Sequence, residues 1–358
     1  MYIETKVTVE DILYEDEEIQ ILKTSAGAQK ALIYLSITPR ARVADEVIVN
    51  STSTKLNLGT GGIDIVTSII GANPKEETLS NGHIMKARYL PNQLSVNAVE
   101  AQESGYHHLF NQPFTLQGKK VLIGELHSMI PICFWGMDYL KKGGKMVVII
   151  SDEASIPLSF SRHVRALKKD ERFVTITIGQ AFGGTYEAVN LPTALQFATD
   201  VLKGDIIFVT LGPGVVGTGT IHGFSGIEQA NWANIIGSLG GIPVWVPRLS
   251  EKDKRKRHLG ISHHTITPLT KFTYVNSILP LPVIEGVIKE KIMKQVEAIG
   301  QRHEVLWVPM ERLDGLINHC INSSPLPIKT MGRDYRDDPI FFRGVAAALQ
   351  SVITESHQ

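Results

Sequence analysis

The chain has 358 residues, 43% hydrophobic and 20% charged, a globular composition whose length fits two domains better than one core. Lys plus Arg equals Asp plus Glu at 36 each, so bulk charge gives no reason to expect a nucleic-acid or membrane partner. No apolar run approaches the ~20 residues that span a bilayer, and the opening MYIETKVTVEDILYEDEEI lacks the basic start and apolar stretch of a signal peptide.

Up to about residue 118 the segments are strand-like. Residues 18–24, 30–38, 46–50, 63–70 and 83–90 are short, rich in Ile and Val, and separated by turn residues. NLGTGG at 57–62 reads as a flexible turn. Strands this short and regular predict a small N-terminal β-barrel or β-sandwich over residues 1–118, and the polar stretch 102–117 reads as the linker.

From residue 119 the rhythm changes. VLIGEL (121–126), MVVIIS (146–151), FVTITI (173–178), DIIFVTL (205–211) and IPVWVP (242–247) are apolar runs, and 158–169, 191–202 and 227–239 between them carry helical spacing. This alternation predicts an α/β domain over 119–358, with a parallel or mostly parallel, doubly wound (Rossmann-like) sheet. Beyond Ser262 the pattern weakens, with a helix expected at 283–299 and a strand at 304–308. Trp232 and Trp245 are expected in the core. The two cysteines, Cys133 and Cys320, lie far apart without CxxC spacing, which argues against a disulfide framework or zinc knuckle and fits a reducing cytoplasm.

Ligands of open parallel sheets bind beyond the carboxyl ends of the strands. The residues just after the predicted strands are His127 and Ser128, Asp152 and Glu153, Gly183 and Gly184, the loop from Gly212, and Arg248. GPGVVGTGTIHGFSG, from Gly212 to Gly226, runs from a strand into a helix. Its glycines (Gly212, Gly214, Gly217, Gly219) would let backbone N–H groups approach an anion, and Thr218, Thr220 and Ser225 add hydroxyls. It is neither a P-loop nor a GxGxxG fingerprint, and a long turn is the alternative.

ISHHTIT places His263 and His264 side by side, with His258 upstream and His127 on another loop. Adjacent helical residues point ~100° apart, so both rings are not expected on one metal, and no metal ligand is assigned. With Asp152 these histidines suit acid–base work. The alternative is that Ser262 caps a helix and the histidines bond nearby backbone. EKDKRKRH (251–258) is a dense basic run, either a solvated loop or a lid over an anionic substrate.

At these residues the chain resembles a bacterial family of Gram-positive lineages, catalogued as domain of unknown function 3866. The resemblance is carried by GHIMKARY (82–89), GGTYEAVN (183–190), GPGVVGTGT (212–220), GFSGIEQ (223–229), RHLGISHHT (257–265) and TMGRDYRDDPIF (330–341). Ala44-Asp45 stands where the family carries Gly-Asp, and His222 matches no position of its motif. The resemblance implies a bacterial, intracellular protein and supplies no reaction, cofactor or catalytic residue.

The expectation from the residues themselves is a hydrolase or group transferase acting on a nucleotide-like or phosphorylated small metabolite. The glycine loop would hold the anion, Asp152 and one of His127, His263 or His264 would move protons, and Arg248 would offset developing charge. The alternative is a non-catalytic regulatory protein that senses the same small anionic ligand. No cofactor is implied by the residues, and self-association into a homo-oligomer is left open.

Overall fold

The computed structural model describes residues 1–58, 61–72 and 82–353. They form two compact units, Met1–Val96 and Asn97–Gln358. The division therefore falls before the stretch expected as a linker. Residues 97–118 pack with the α/β unit: Leu116 is buried and donates its N–H to Leu239 O, and Gln196 Nε2 donates to Leu109 O.

In the first unit β1 (Glu4–Glu15), β2 (Ile19–Thr24), β3 (Lys30–Tyr34), β4 (Glu46–Asn50) and β5 (Asp64–Ile69) close a barrel in the order β1-β2-β3-β5-β4. Only β3–β5 is parallel, the strand order of OB-type Greek-key barrels. A one-turn helix α1 (Thr52–Lys55) joins β4 to β5, and β6 (Ile84–Lys86) pairs with β7 (Leu94–Val96) outside the barrel. Val7, Val9, Leu22, Ala31, Ile33, Val47 and Val49 fill the interior. In β1 only Val7 and Val9 are buried among charged neighbours, and its pairing with β2 is bulged twice. That is why no apolar alternation announced this strand. The strand expected at 83–90 shrinks to Ile84–Lys86. The turn expected at 57–62 lies partly outside the described residues, with Asn57, Gly61 and Gly62 at positive φ. Ala44 keeps a left-handed turn, at φ 75°, where a glycine would be unstrained.

The second unit carries β8 (Lys120–Gly124), β9 (Met146–Ser151), β10 (Phe173–Thr177), β11 (Tyr186–Glu187), β12 (Ile206–Leu211) and β13 (Ile242–Trp245). A short antiparallel ribbon, β14 (Leu249–Ser250) with β15 (Gly260–Ile261), precedes β16 (Ile278–Pro282) and β17 (Glu304–Val308). Apart from the ribbon these eight strands form one sheet, β11-β10-β9-β12-β8-β13-β16-β17, with every pair parallel. The helices are α2 (Ile130–Leu140), α3 (Arg162–Leu167), α4 (Leu191–Gln196), α5 (Gln229–Ser238), α6 (His263–Thr267), α7 (Ile288–Glu297), α8 (Asp314–Ser323) and α9 (Pro339–Ile353).

Alternate strand residues feed two cores. Val121, Ile123, Val147, Ile149, Ile207 and Val209 meet α4, α5 and α7 on one face, while Leu122, Val148, Ile150 and Phe208 meet α2, α3, α8 and α9 on the other. Burial on both faces is what makes these strands continuous apolar runs. Trp232, Trp245 and Cys133 are buried as expected. Among the described residues no helix is long and apolar enough to cross a membrane. From β8 the chain winds outward through β9 and β10, and from β12 it crosses β8 to wind the other way through β13 and β16. The crevice of such a sheet therefore opens at the carboxyl ends of β12, β8 and β13.

Candidate functional site

Three loops meet at that crevice. β8 ends at Gly124, and the next side chain is Glu125, 1% exposed. A carboxylate this deep persists only if its charge is answered. Arg248, three residues beyond β13, supplies one answer: its Nη1 donates to Glu125 Oε2 at 2.8 Å and lies 3.3 Å from His264 Nδ1. His264 supplies the other, with Nδ1 hydrogen-bonded to Glu125 Oε1. Burial pushes the Glu125 carboxyl up, but these two partners overcome it and hold it below its ordinary value. Gly226 is required beside it, because a Cβ there would come within 2.9 Å of Glu125 Cγ.

His264 is set by its surroundings on every side. Ser262 caps α6, its Oγ accepting the His264 N–H at 3.1 Å. Phe224 stacks on the imidazole with centroids 3.9 Å apart and planes 3° from parallel. Gln229 Nε2 donates to Gly226 O at 2.7 Å and to His264 O at 3.2 Å. Nδ1 is thus committed, and Nε2 faces the glycine loop, where a Cβ on Gly217 would lie 3.7 Å away.

His258 and His263 complete the cluster, their ring centroids 4.8 and 4.4 Å from that of His264. His258 is 1% exposed, with Nδ1 2.7 Å from Ser262 Oγ. His263 Nε2 is buried without a hydrogen-bond partner. Burial, with the charges of Arg248 and Arg255, brings His258 down to about 3, and burial, with His264 and Arg257, brings His263 down to about 4. Both environments therefore favour the neutral form of the ring. One ring nitrogen from each of the three lies within 4.8 Å of the others, among the described residues the one group of histidine, cysteine or carboxylate ligands that could hold a metal ion. The expectation that His263 and His264 diverge is therefore corrected. α6 is a single turn whose first two residues are these histidines, and the third ring comes from the loop before it.

The basic run is the loop of the β14–β15 ribbon. Asp253, 8% exposed, accepts from Arg255 Nε at 3.0 Å and Nη2 at 2.9 Å, and Arg333 Nη2 lies 3.6 Å away. Asp338, fully buried, accepts from Ser250 Oγ and, at 3.0 Å, from Glu251 N. Lys254, Lys256 and Arg257 are exposed, and the Arg257 guanidinium would lie 3.6 Å from a Cβ on Gly219. The loop is thus anchored at Asp253 and His258 and presents Lys252, Lys254, Lys256 and Arg257 to solvent.

The remaining expected residues sort differently. Arg248 is already engaged by Glu125, so it positions the site and is not a free cation. Asp152 follows β9 and accepts from Gln180 N at 2.6 Å. With Glu228 it lifts the Glu153 carboxyl, which burial already raises, and Glu153 Oε2 is buried without a partner. Glu228 is itself raised by burial and by Asp152. His127 falls apart from the cluster: burial, with His163 on α3, brings it down to about 4. Gly183 and Gly184 form a turn beside β11, their N–H groups given to Glu187 Oε1 and Thr177 Oγ1.

The glycine loop is folded on itself. Gly214 and Gly219 take positive φ, Gly217 bridges Phe224, and Gly212 passes against Ser155 O. Thr218 and Thr220 hydroxyls bond each other and the Gly223 backbone, and Ser225 Oγ accepts Val216 N. The helix beyond starts with a 3-10 turn, Ser225–Glu228, whose last residue is acidic. These hydroxyls are engaged within the loop, and its Gly217 and Phe224 pack over His264.

Two residues of the candidate site are not singled out by the sequence. Glu125 was absorbed into the run VLIGEL, although a lone carboxylate ending an apolar strand is itself a signal. His258 was noticed only as a neighbour of the His263–His264 pair. No curated protein sequence matches the chain. A family model described as a protein of unknown function (DUF3866) matches residues 30–349, and the chain belongs to that family.

Proposed function

We propose that this is a cytoplasmic bacterial hydrolase or group transferase acting on a nucleotide-like or phosphorylated small metabolite, with its reacting centre at His264. The observation that carries the reading is the buried Glu125–His264 pair. A carboxylate holds Nδ1, so the ring is fixed in orientation and tautomer while Nε2 is left to accept or deliver a proton. Arg248 keeps the carboxylate ionised, and Phe224 prevents the ring from turning away. Lys254, Lys256 and Arg257, exposed on the ribbon loop, supply the positive field that draws an anionic substrate to this edge. Asp152, Glu153 and Glu228 form a second group of carboxyls, two of them with raised proton affinity and suited to donate to a leaving group.

The test is a turnover screen with phosphate monoesters, nucleotides and nucleotide sugars. His264→Gln should lower kcat by at least ~10²-fold with substrate binding largely kept. Lys254→Ser with Lys256→Ser should raise KM and flatten its salt dependence while kcat holds. A wild-type chain that binds a nucleotide tightly and converts none of the panel would replace the enzyme by a sensor. A His264→Gln variant with normal kcat would remove His264 from the chemistry.

A further inference from the structure

We propose that His258, His263 and His264 form a binding site for one divalent transition-metal ion, its fourth coordination position lying beneath the glycine loop. The inference rests on geometry independent of the hydrolytic reading and changes one role in it: with Nε2 bound to an ion, His264 would be a ligand, and a metal-bound water would take over the proton transfer. Each ring contributes a nitrogen, and the three lie within 4.8 Å of one another. Zinc–imidazole bonds of ~2.05 Å in a tetrahedral site set the nitrogens ~3.3 Å apart. The rings must therefore draw in by up to roughly 1.5 Å as the ion binds.

What distinguishes this group from three packed aromatic rings is the state of their other nitrogens. Metal-bound imidazoles are oriented by a carboxylate, carbonyl or hydroxyl at the non-ligating nitrogen. Here His264 Nδ1 is held by Glu125 and His258 Nδ1 by Ser262 Oγ, leaving Nε2 on each ring to coordinate. His263 presents a buried Nε2 with no partner at all, which a metal ion would satisfy. A buried polar atom left unpaired is costly in a purely structural cluster.

The ligand set also selects the ion. Three imidazole nitrogens suit zinc, cobalt, nickel or copper, whereas magnesium and calcium require oxygen ligands. Of the cations around the cluster, Arg248 is matched by Glu125 and Arg255 by Asp253, while Arg257, exposed to solvent, is the one that opposes a bound cation at His263. Phe224 and Gly217 close one side, so a bound water or substrate oxygen would enter beside the loop. A site with three histidines and one exchangeable position is the arrangement of catalytic rather than structural zinc.

The experiment uses the full chain, freed of any purification tag and stripped with chelator. Cobalt(II) is titrated in and its visible d–d bands are recorded, and zinc binding is then measured by calorimetry and by displacement of cobalt. The expected result is one ion per chain, with the intense absorption of a four-coordinate cobalt site. His263 is the most accessible of the three, so His263→Gln is the primary variant. It should abolish the four-coordinate spectrum with circular dichroism unchanged. Glu125→Gln should weaken affinity about 10–100-fold while keeping one site per chain, a response that a ring cluster without metal would not give. His108→Gln, at an exposed histidine of the 107–111 turn outside the cluster, should behave as wild type. Absence of a saturable site in the wild type, or a spectrum that survives His263→Gln, overturns the proposal whatever the turnover assays show. Conversely, a confirmed ion in a chain that converts no substrate would leave the metal site standing and remove only the enzymatic reading.

Discussion

Glu125→Gln should destabilise the Asn97–Gln358 unit by about 3–5 kcal/mol, because it leaves the Arg248 guanidinium buried and unanswered. The two side chains are 2% and 7% exposed and in contact at 2.8 Å. With charge centres ~4 Å apart and an effective dielectric constant of ~20, their attraction is about 4 kcal/mol, the same size as the predicted loss. Arg248→Met should cost a similar amount by stranding the carboxylate. The double variant removes both charges, so its loss should fall short of the sum by about 2–3 kcal/mol. Urea unfolding followed by tryptophan fluorescence is the assay, under chelator so that metal binding does not contribute. Its signal is specific, because all four tryptophans, Trp135, Trp232, Trp245 and Trp307, lie in this unit. A Glu125→Gln variant within ~0.5 kcal/mol of wild type, or a double variant with strictly additive loss, would refute the description of a closed, mutually compensating pair.

Glu153→Gln should stabilise the protein at pH 7 by about 1 kcal/mol, since an unpaired buried carboxylate oxygen carries a cost when ionised. The folded-state proton affinity of Glu153 is raised. Its contribution is therefore fully present below the ordinary carboxylate pKa and is lost as pH rises through the folded value. The variant's advantage should vanish in urea titrations near pH 4; an advantage unchanged by pH would show that Glu153 is not the titrating group. Ala44→Gly should stabilise the barrel by about 1 kcal/mol, because Ala44 holds φ 75° on an exposed turn and glycine lacks the steric penalty there. Amide exchange of the Met1–Val96 unit reads this, and slower exchange in the wild type than in the variant would contradict it.

The apolar runs of this chain determined its architecture before any coordinates. Strands buried on both faces must be apolar at every position, so MVVIIS at 146–151 was legible to within a residue, as was the half-buried edge strand EVLWV at 304–308. Strand β16, interrupted by prolines, and helix α8, interrupted by polar residues, were not; nor was α9, buried along most of its length, so that no polar face marks it as a helix. The linker expected at 102–117 looked polar, yet its backbone is bonded into the larger unit, and no composition reports where hydrogen bonds are made. The candidate site divides in the same way. Placing loop residues at strand carboxyl ends followed from parallel-sheet topology alone and located Asp152, Arg248 and the glycine loop on one edge. Which of them touch is a tertiary matter. Glu125 and His264 are 139 residues apart in the chain, and they meet because β8 and β13 are neighbours in the sheet. Arg248 turns inward to the same carboxylate, and one helical turn after Ser262 directs His263 and His264 toward the ring of His258. Residue types announced that chemistry was available at this edge, and only the fold decided which side chains share a proton and which could share a metal ion.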